Sequence, residues 1–380
     1  MEKFKVVLFD RKDSTQNPGG DTIQIYAIAK FLEENNIYVA IINDLNNVDL
    51  LKFDIAILFN LTRPYELYLQ TKIVRNAGIP YILFPIYWNL DKVVKSAGFN
   101  IRSMFKFILT HKGSDVIRAF KFYSQNKTIV KKLSINLLLL LNKKKFIEKI
   151  LEHSLYICPN SNAEATHLLD QFRCKKMEGK IVVVNNGINI NHDIRPPSSQ
   201  ELVSLKDSIY VCCVGGIGPR KNQLSLIRAA KLTALPLVIV GGYSEENEGY
   251  FNKLRREAGN NVYFAGHLHR QEVQWIMAHS SGHIQPSYVE TPGLASLEAA
   301  SLGINIGVSN IPPVKEYFKD YAEYCDPNSV ESIAECMLAL VKNNKRSIET
   351  KEFITKNYQW RVVLQPLIKL VTVAGHENRM

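Results

Sequence analysis

Glu290 and Glu298, eight positions apart on either side of a Thr-Pro-Gly turn, are the residues of this 380-residue chain best placed to do chemistry. Glu290 closes the loop Pro286-Ser287-Tyr288-Val289, and Thr291-Pro292-Gly293-Leu294-Ala295-Ser296-Leu297 leads on to Glu298. Pro292 suits the first position of a helix, and Gly293 lets backbone come close to a ligand. The amides of Gly293 and Leu294 are therefore expected to point out of a helix N-terminus, a ready site for hydroxyls or phosphate oxygens. Glu298 then lies about one and a half turns into that helix. Spacing alone proves little, because Glu323 and Glu331 repeat it. The first pair follows an apolar segment and opens a glycine-started helix, whereas the second runs through Tyr324-Cys325-Asp326-Pro327-Asn328 with no glycine. Without a functional role, Glu290 would be a helix N-terminal charge favoured by the macrodipole and Glu298 a solvated helix-face acid.

A second constellation supplies cations. Val214-Gly215-Gly216-Ile217-Gly218-Pro219-Arg220-Lys221-Asn222-Gln223 runs from a strand end into a helix with apolar residues at Leu224, Ile227 and Ala230. Glycines followed by two cations suit a pyrophosphate, Lys221 as a point charge and Arg220 with a guanidinium fork. Neither a Walker loop nor a dinucleotide fingerprint is present. Near the N-terminus, Asn17-Pro18-Gly19-Gly20-Asp21 precedes another helix, and its glycines would let amides approach a diphosphate or simply connect strand to helix.

The elements that must position these residues alternate. Short apolar strands are expected at Val6–Phe9, Tyr38–Ile42, Ile55–Phe59, Tyr81–Pro85, Leu155–Cys158 and Ile181–Val184. The second half repeats the rhythm at Tyr210–Val214, Leu237–Val240, Val262–Ala265, His283–Pro286 and Asn305–Val308. Strands separated by amphipathic helices make βαβ units and parallel sheets, so the fold class is α/β with two doubly wound domains. A first domain is assigned to 1–195, a second to 200–360, and a C-terminal helix or tail at 361–380 is expected to pack back on the first. Pro196-Pro197-Ser198-Ser199 reads as the linker. In such sheets ligands bind beyond the carboxyl ends of the strands, where both glutamate and lysine motifs lie.

The net charge of +11 and pI near 9.2 invite a polyanionic partner, and the distribution of the charge narrows the choice. Between Arg102 and Lys149 stand twelve Lys or Arg against Asp115 and Glu148, interleaved with Phe105, Phe107, Phe120, Phe122, Tyr123 and the run Leu137 to Leu141. Basic segments with an aromatic and aliphatic face suit an anionic membrane surface, the alternative being a solvated basic face over a core helix. A nucleic-acid partner is disfavoured, since no RNA or DNA motif accompanies the cations. No apolar run exceeds six residues, far short of the roughly 20 that cross a bilayer. The N-terminus reads as a strand rather than a signal peptide. The protein is expected to be cytoplasmic and peripheral at the cytoplasmic membrane face. Six cysteines without a Cys-x-x-Cys pair are read as reduced and buried, and the nine histidines lack metal spacing.

Taken in chain order, the Gly19-Gly20 loop, Pro159-Asn160-Ser161, Asn186-Gly187, Val214-Gly215 to Lys221-Asn222, Val240-Gly241-Gly242, Phe264-Ala265-Gly266 and Glu290-x7-Glu298 resemble glycosyltransferase family 4, with the GT-B fold. The resemblance runs through the whole chain and is most specific between Val211 and Asn310. It implies two Rossmann-like domains facing each other across a cleft, a nucleotide-diphosphate sugar as donor, retention of configuration and no metal cofactor. The last point suits a chain with no Asp-x-Asp. By resemblance, Lys221 is the pyrophosphate cation, Glu298 the acceptor of ribose hydroxyls, and Glu290 the acid beside the donor hexose and diphosphate. Gly293 and Leu294 would offer amides to the sugar, and Gly19-Gly20 would close over the diphosphate. Two positions depart from the family. Gly216 stands where an arginine is frequent, so either Arg220 supplies the second cation or that charge is missing. No histidine is evident near Pro85-Ile86-Tyr87-Trp88-Asn89, where Tyr87, Trp88 or Asp91 could do acceptor work. The implied acceptor is a glycan or a polyprenyl-diphosphate-linked glycan of bacterial surface polysaccharide assembly. A sugar-nucleotide epimerase and a non-catalytic sugar-nucleotide binder remain the alternatives.

Overall fold

The computed structural model describes residues 3–11, 14, 19–44, 49–88, 143–172, 177–190, 193–342 and 346–379. The described residues divide into two compact units. One takes in the chain up to Asn186 together with Trp360–Met380, and the other is Gly187–Gln359.

In the first unit β1 (Lys5–Phe9), β2 (Tyr38–Ile42), β3 (Ile55–Phe59), β4 (Tyr81–Phe84) and β5 (Tyr156–Ile157) form a parallel sheet in the order β2-β1-β3-β4-β5. β3 and β4 are buried along their whole length, which is why their sequences are unbroken apolar runs rather than alternating ones. The expected strand Ile181–Val184 is reduced to a bridge between Ile181 and Ile157. Val182 and Val184 donate to Ile157 and Pro159, but Pro159 has no N–H to return, and the ladder stops there.

The basic stretch 102–149 falls mostly outside the described residues. Its described end lies in the helix Lys143–His153, where Phe146, Ile147, Ile150 and Leu151 are buried in the core while Lys144, Lys145 and Lys149 are exposed. In that helix the apolar face is taken up by the unit's own core, packed against the helix Pro64–Asn76, and is not presented to a membrane. Among the described residues no helix is long and apolar enough to cross a bilayer.

The second unit holds β6 (Val211–Val214), β7 (Leu237–Val240), β8 (Val262–Gly266), β9 (Gly282–Gln285), β10 (Asn305–Ser309) and β11 (Glu323–Cys325), all parallel, in the order β11-β10-β9-β6-β7-β8. β11, a three-residue edge strand, carries Glu323 of the second glutamate pair and was not expected from the sequence. The crossing between units lies at Asn186–Gly187, not at the Pro-Pro-Ser-Ser stretch. That stretch is held to its own unit: Arg195 N–H donates to Gln271 O, Ser198 N–H to the Glu272 carboxylate, and Ile188 N–H to Tyr358 O.

Strand order decides where a ligand can sit. The chain runs outward from β6 through β7 to β8, then returns to β9 on the other side of β6 and runs outward again. The exits of β6 and β9 are therefore neighbours at the switch point of the sheet, where a crevice forms in open α/β folds. The first unit has its own switch point between β1 and β3.

Candidate functional site

The loops leaving β6 and β9 bring Lys221 and Arg220 onto Glu290. Lys221 Nζ donates to Glu290 Oε2 at 2.5 Å, and Arg220 Nη1 stands 3.6 Å from Oε1 while donating to Val289 O at 2.7 Å. A short 3₁₀ turn, Pro219–Lys221, presents the two cations. Asn222 ends that turn in the left-handed region (φ 58°) and donates through Nδ2 to Pro327 O at 2.8 Å, anchoring the turn to the β11 exit. Backbone locks the two loops together as well, Tyr288 N–H donating to Arg220 O at 3.0 Å.

A buried polar relay supports the carboxylate from below. Gln285 Nε2 donates to Ser287 Oγ at 3.0 Å, and Ser287 Oγ donates to Glu290 Oε2 at 3.1 Å. The Glu290 side chain is only 12% exposed, so burial by itself would push its pKa up. The charges of Lys221 and Arg220 and the hydrogen bonds from Lys221 and Ser287 overcome that and hold it down to about 2. Glu290 is thus ionised throughout the physiological range. Behind it, His283 is fully buried and bonded through Nε2 to Ser296 Oγ (3.1 Å). Burial, with Lys221 nearby, lowers its pKa to about 3 and keeps the imidazole neutral.

Gly293 caps the helix Leu294–Leu302 in the left-handed region, φ 79°. Pro292 therefore precedes the cap and does not occupy the first helical position expected of it, because a left-handed residue cannot belong to the helix that follows it. The amide of Leu294 opens the first turn, whose N–H groups lack partners within the helix. A Cβ on Gly293 would stand 3.3 Å from Glu290 Cγ, so the glycine is required by conformation and by space alike. Glu298, on the same helix, faces a different cation: Arg270 Nη2 lies 3.2 Å from its Oε1. Burial raises the Glu298 pKa and Arg270 opposes the rise.

Gly215 and Gly216 line the exit of β6. Gly215 N–H donates to Val240 O, and a Cβ on the facing Gly241 would stand 2.1 Å from Gly215 O, so the β6 and β7 exits touch backbone to backbone. A Cβ on Gly215 would meet the Lys221 side chain at 3.6 Å, so the lysine lies over this glycine. Gly19 and Gly20 belong to the first unit, where Gly19 caps the helix Gly20–Glu34 beside the ion pair Arg11–Asp21 (3.2 Å). Asn60 Nδ2 donates to Asp21 Oδ2 at 3.1 Å across that unit's switch point. Asn17, Pro18 and Asp91 lie outside the described residues. Among the described residues no cluster of three His, Cys, Asp or Glu forms a metal-type site.

Sequence reasoning missed Ser287, His283 and Arg270. Ser287 stands in the loop that Glu290 closes, with nothing local to mark it as a partner of that carboxylate, and nothing local to Arg270 pairs it with a glutamate 28 residues on. The second glutamate pair shows none of this organisation: Glu331 is exposed and bonded only within its own turn, to Ser329.

Comparison with known proteins places this geometry. The two parallel sheets, each with its helices, define the GT-B class of α/β fold. The chain resembles the crystal structure of the Anabaena HepE protein in complex with UDP and glucose, with a TM-score of 0.69 at 14% identity, covering 97% of this chain and 100% of that one. Residues 195–360, which contain Lys221, Glu290 and Glu298, match the glycosyl transferases group 1 family. Two Escherichia coli proteins are similar over part of their length. O-antigen chain mannosyltransferase B is 26% identical over 161 residues, 40% of this chain and 42% of that protein. O-antigen chain mannosyltransferase C is 29% identical over 191 residues, 46% and 48%. The chain thus matches less than half the length of either.

Proposed function

We propose that the protein is a retaining glycosyltransferase that moves a hexose from a nucleotide-diphosphate sugar to a glycan or lipid-linked glycan in bacterial surface polysaccharide assembly. The observation that carries this reading is the Lys221–Glu290–Arg220 cluster, set at the switch point of the unit that matches the group 1 family. Mannose is the first sugar to try, since the two similar proteins bear O-antigen mannosyltransferase names.

In this reading Lys221 and Arg220 hold the diphosphate, the Leu294 amide meets a sugar or phosphate oxygen, and Glu298 accepts from the ribose. Glu290, ionised and fixed by Ser287, lies against the hexose. Cleavage of the bond between the anomeric carbon and the phosphate oxygen builds negative charge on the diphosphate, which the two cations offset most in the transition state. The acceptor oxygen bonds to the anomeric carbon from the same face, and its proton passes to the departing phosphate. These cations take the part a resident metal ion would play, so transfer survives chelation by EDTA. Work at the cytoplasmic face of the membrane, through the basic segment, completes the proposal.

The test is release of nucleoside diphosphate from a panel of UDP-, GDP-, ADP- and TDP-sugars, for wild type and Glu298→Ala, with and without membrane lipid extract. Release from one donor that needs the extract and is lost in the variant supports transfer. Release without acceptor points to an epimerase or hydrolase, and a product of inverted anomeric configuration overturns retention.

A further inference from the structure

In the first unit β4 and β5 leave the sheet side by side, and one carboxylate ties their exits together. Glu164, the third residue of the helix Asn162–Gln171, is fully buried. Its Oε1 accepts from Tyr87 N–H at 2.6 Å and its Oε2 from Asn160 N–H at 2.7 Å. Ser161 caps the helix, accepting from the Glu164 amide at 3.0 Å, which leaves the carboxylate to reach across to the neighbouring loop.

The loop it reaches is strained. Ile86 has φ 44°, a conformation that β-branched residues avoid. Such backbone persists where the surroundings hold it, and it gathers at ligand sites. The bond from Tyr87 to Glu164 is what holds it here. The next two residues are aromatic and half-buried. His167, one turn beyond Glu164, stacks on Trp88 with ring centroids 4.4 Å apart and planes at 19°. Tyr87 packs 5.8 Å from His167 and 5.3 Å from Phe172. One face of one helix thus fixes both the backbone and the rings of the segment.

We propose that Tyr87 and Trp88 form a stacking platform for a neutral sugar ring of the acceptor glycan, and that Glu164 is the positioning residue that holds the platform in place. The proposal rests on the glycosyl-transfer reading. An aromatic plane suits the apolar C–H face of a pyranose and offers nothing to a phosphate. The segment also leaves the carboxyl end of a strand, where α/β sheets place their ligands. Glu164 acts through the loop and does not touch the sugar.

Two measurements test this on the full-length protein. In the transfer assay, Trp88→Ala and Glu164→Gln raise the acceptor KM about tenfold, with donor KM and saturated kcat within about threefold of wild type. Gln can replace only one of the two accepted bonds, so Glu164→Gln shares the effect of Trp88→Ala without removing a ring. Independently of any transfer, tryptophan fluorescence is titrated with α-linked mannobiose and mannotriose in the absence of donor. Quenching in wild type that is lost in Trp88→Ala supports the platform even if no donor is ever turned over. Acceptor KM unchanged in Trp88→Ala, donor and acceptor KM rising together in Glu164→Gln, or no quenching in wild type would each overturn it.

Discussion

Glu290 and Glu164 are both carboxylates taken out of water at the carboxyl edge of a parallel sheet, and their acidities move in opposite directions. Glu290 meets two full positive charges and a serine hydroxyl and falls to about 2. Glu164 meets two backbone amides, and burial outweighs them, lifting it to about 7. At Glu164 two amide bonds do not repay the desolvation of the carboxylate, whereas at Glu290 two cations and a hydroxyl do. One carboxylate is built to stay charged beside two cations. The other sits at the edge of titration while holding a loop.

The sharpest way to break the contrast is to turn Glu290 into a second Glu164. Lys221→Ala removes the stronger counter-charge, so the Glu290 pKa moves up and transfer falls about 10²- to 10³-fold. Steady-state kcat and the pH dependence of unfolding check the two halves of that expectation. Wild-type stability drawn from Glu290 is present above its unfolded pKa and is lost as pH falls from about 4.5 through about 2.

The opposite sign holds for Glu164. Its folded pKa lies above its unfolded value, so its contribution is complete below about 4.5 and is lost as pH rises through about 7, a swing of about 3 kcal/mol. Glu164→Gln should flatten the stability profile between pH 5 and 8 in urea unfolding. An unchanged slope would mean that the carboxylate is not the group responsible.

Gly293→Ala probes the packing around Glu290. The new Cβ enters a left-handed backbone and crowds Glu290 Cγ, for an expected stability loss of about 1–2 kcal/mol together with reduced kcat. The smallest effect is expected from Arg270→Ala. Arg270 is half exposed, so its pair with Glu298 is screened, and nucleoside diphosphate binding should weaken by only about threefold by calorimetry.

Much of the fold was legible in the chain. β3, β4, β6 and β7 are apolar runs of four or five residues, β1 is one after its leading Lys5, and β2 is one on a less buried strand. β11 was not legible, because Glu323-Tyr324-Cys325 has no apolar pattern and forms only by pairing at the edge of β10. Glu164 was hidden for a different reason. Ser161 followed three residues later by Glu has the pattern of a helix cap, and only packing turns that carboxylate toward Tyr87.

The sequence by itself determined which side chains bear charge, which segments must be buried, that Glu290 and Lys221 follow strands, and that Glu298 lies on the helix after Glu290. Those are consequences of composition and period, which are local. The partnership of Lys221 with Glu290, 69 residues apart, was decided by the placement of β6 beside β9. The shifts of Glu290 and Glu164 were decided by what each carboxylate meets once buried. Coulomb forces and desolvation depend on distance and dielectric, and the chain acquires both only when its strands have taken their order.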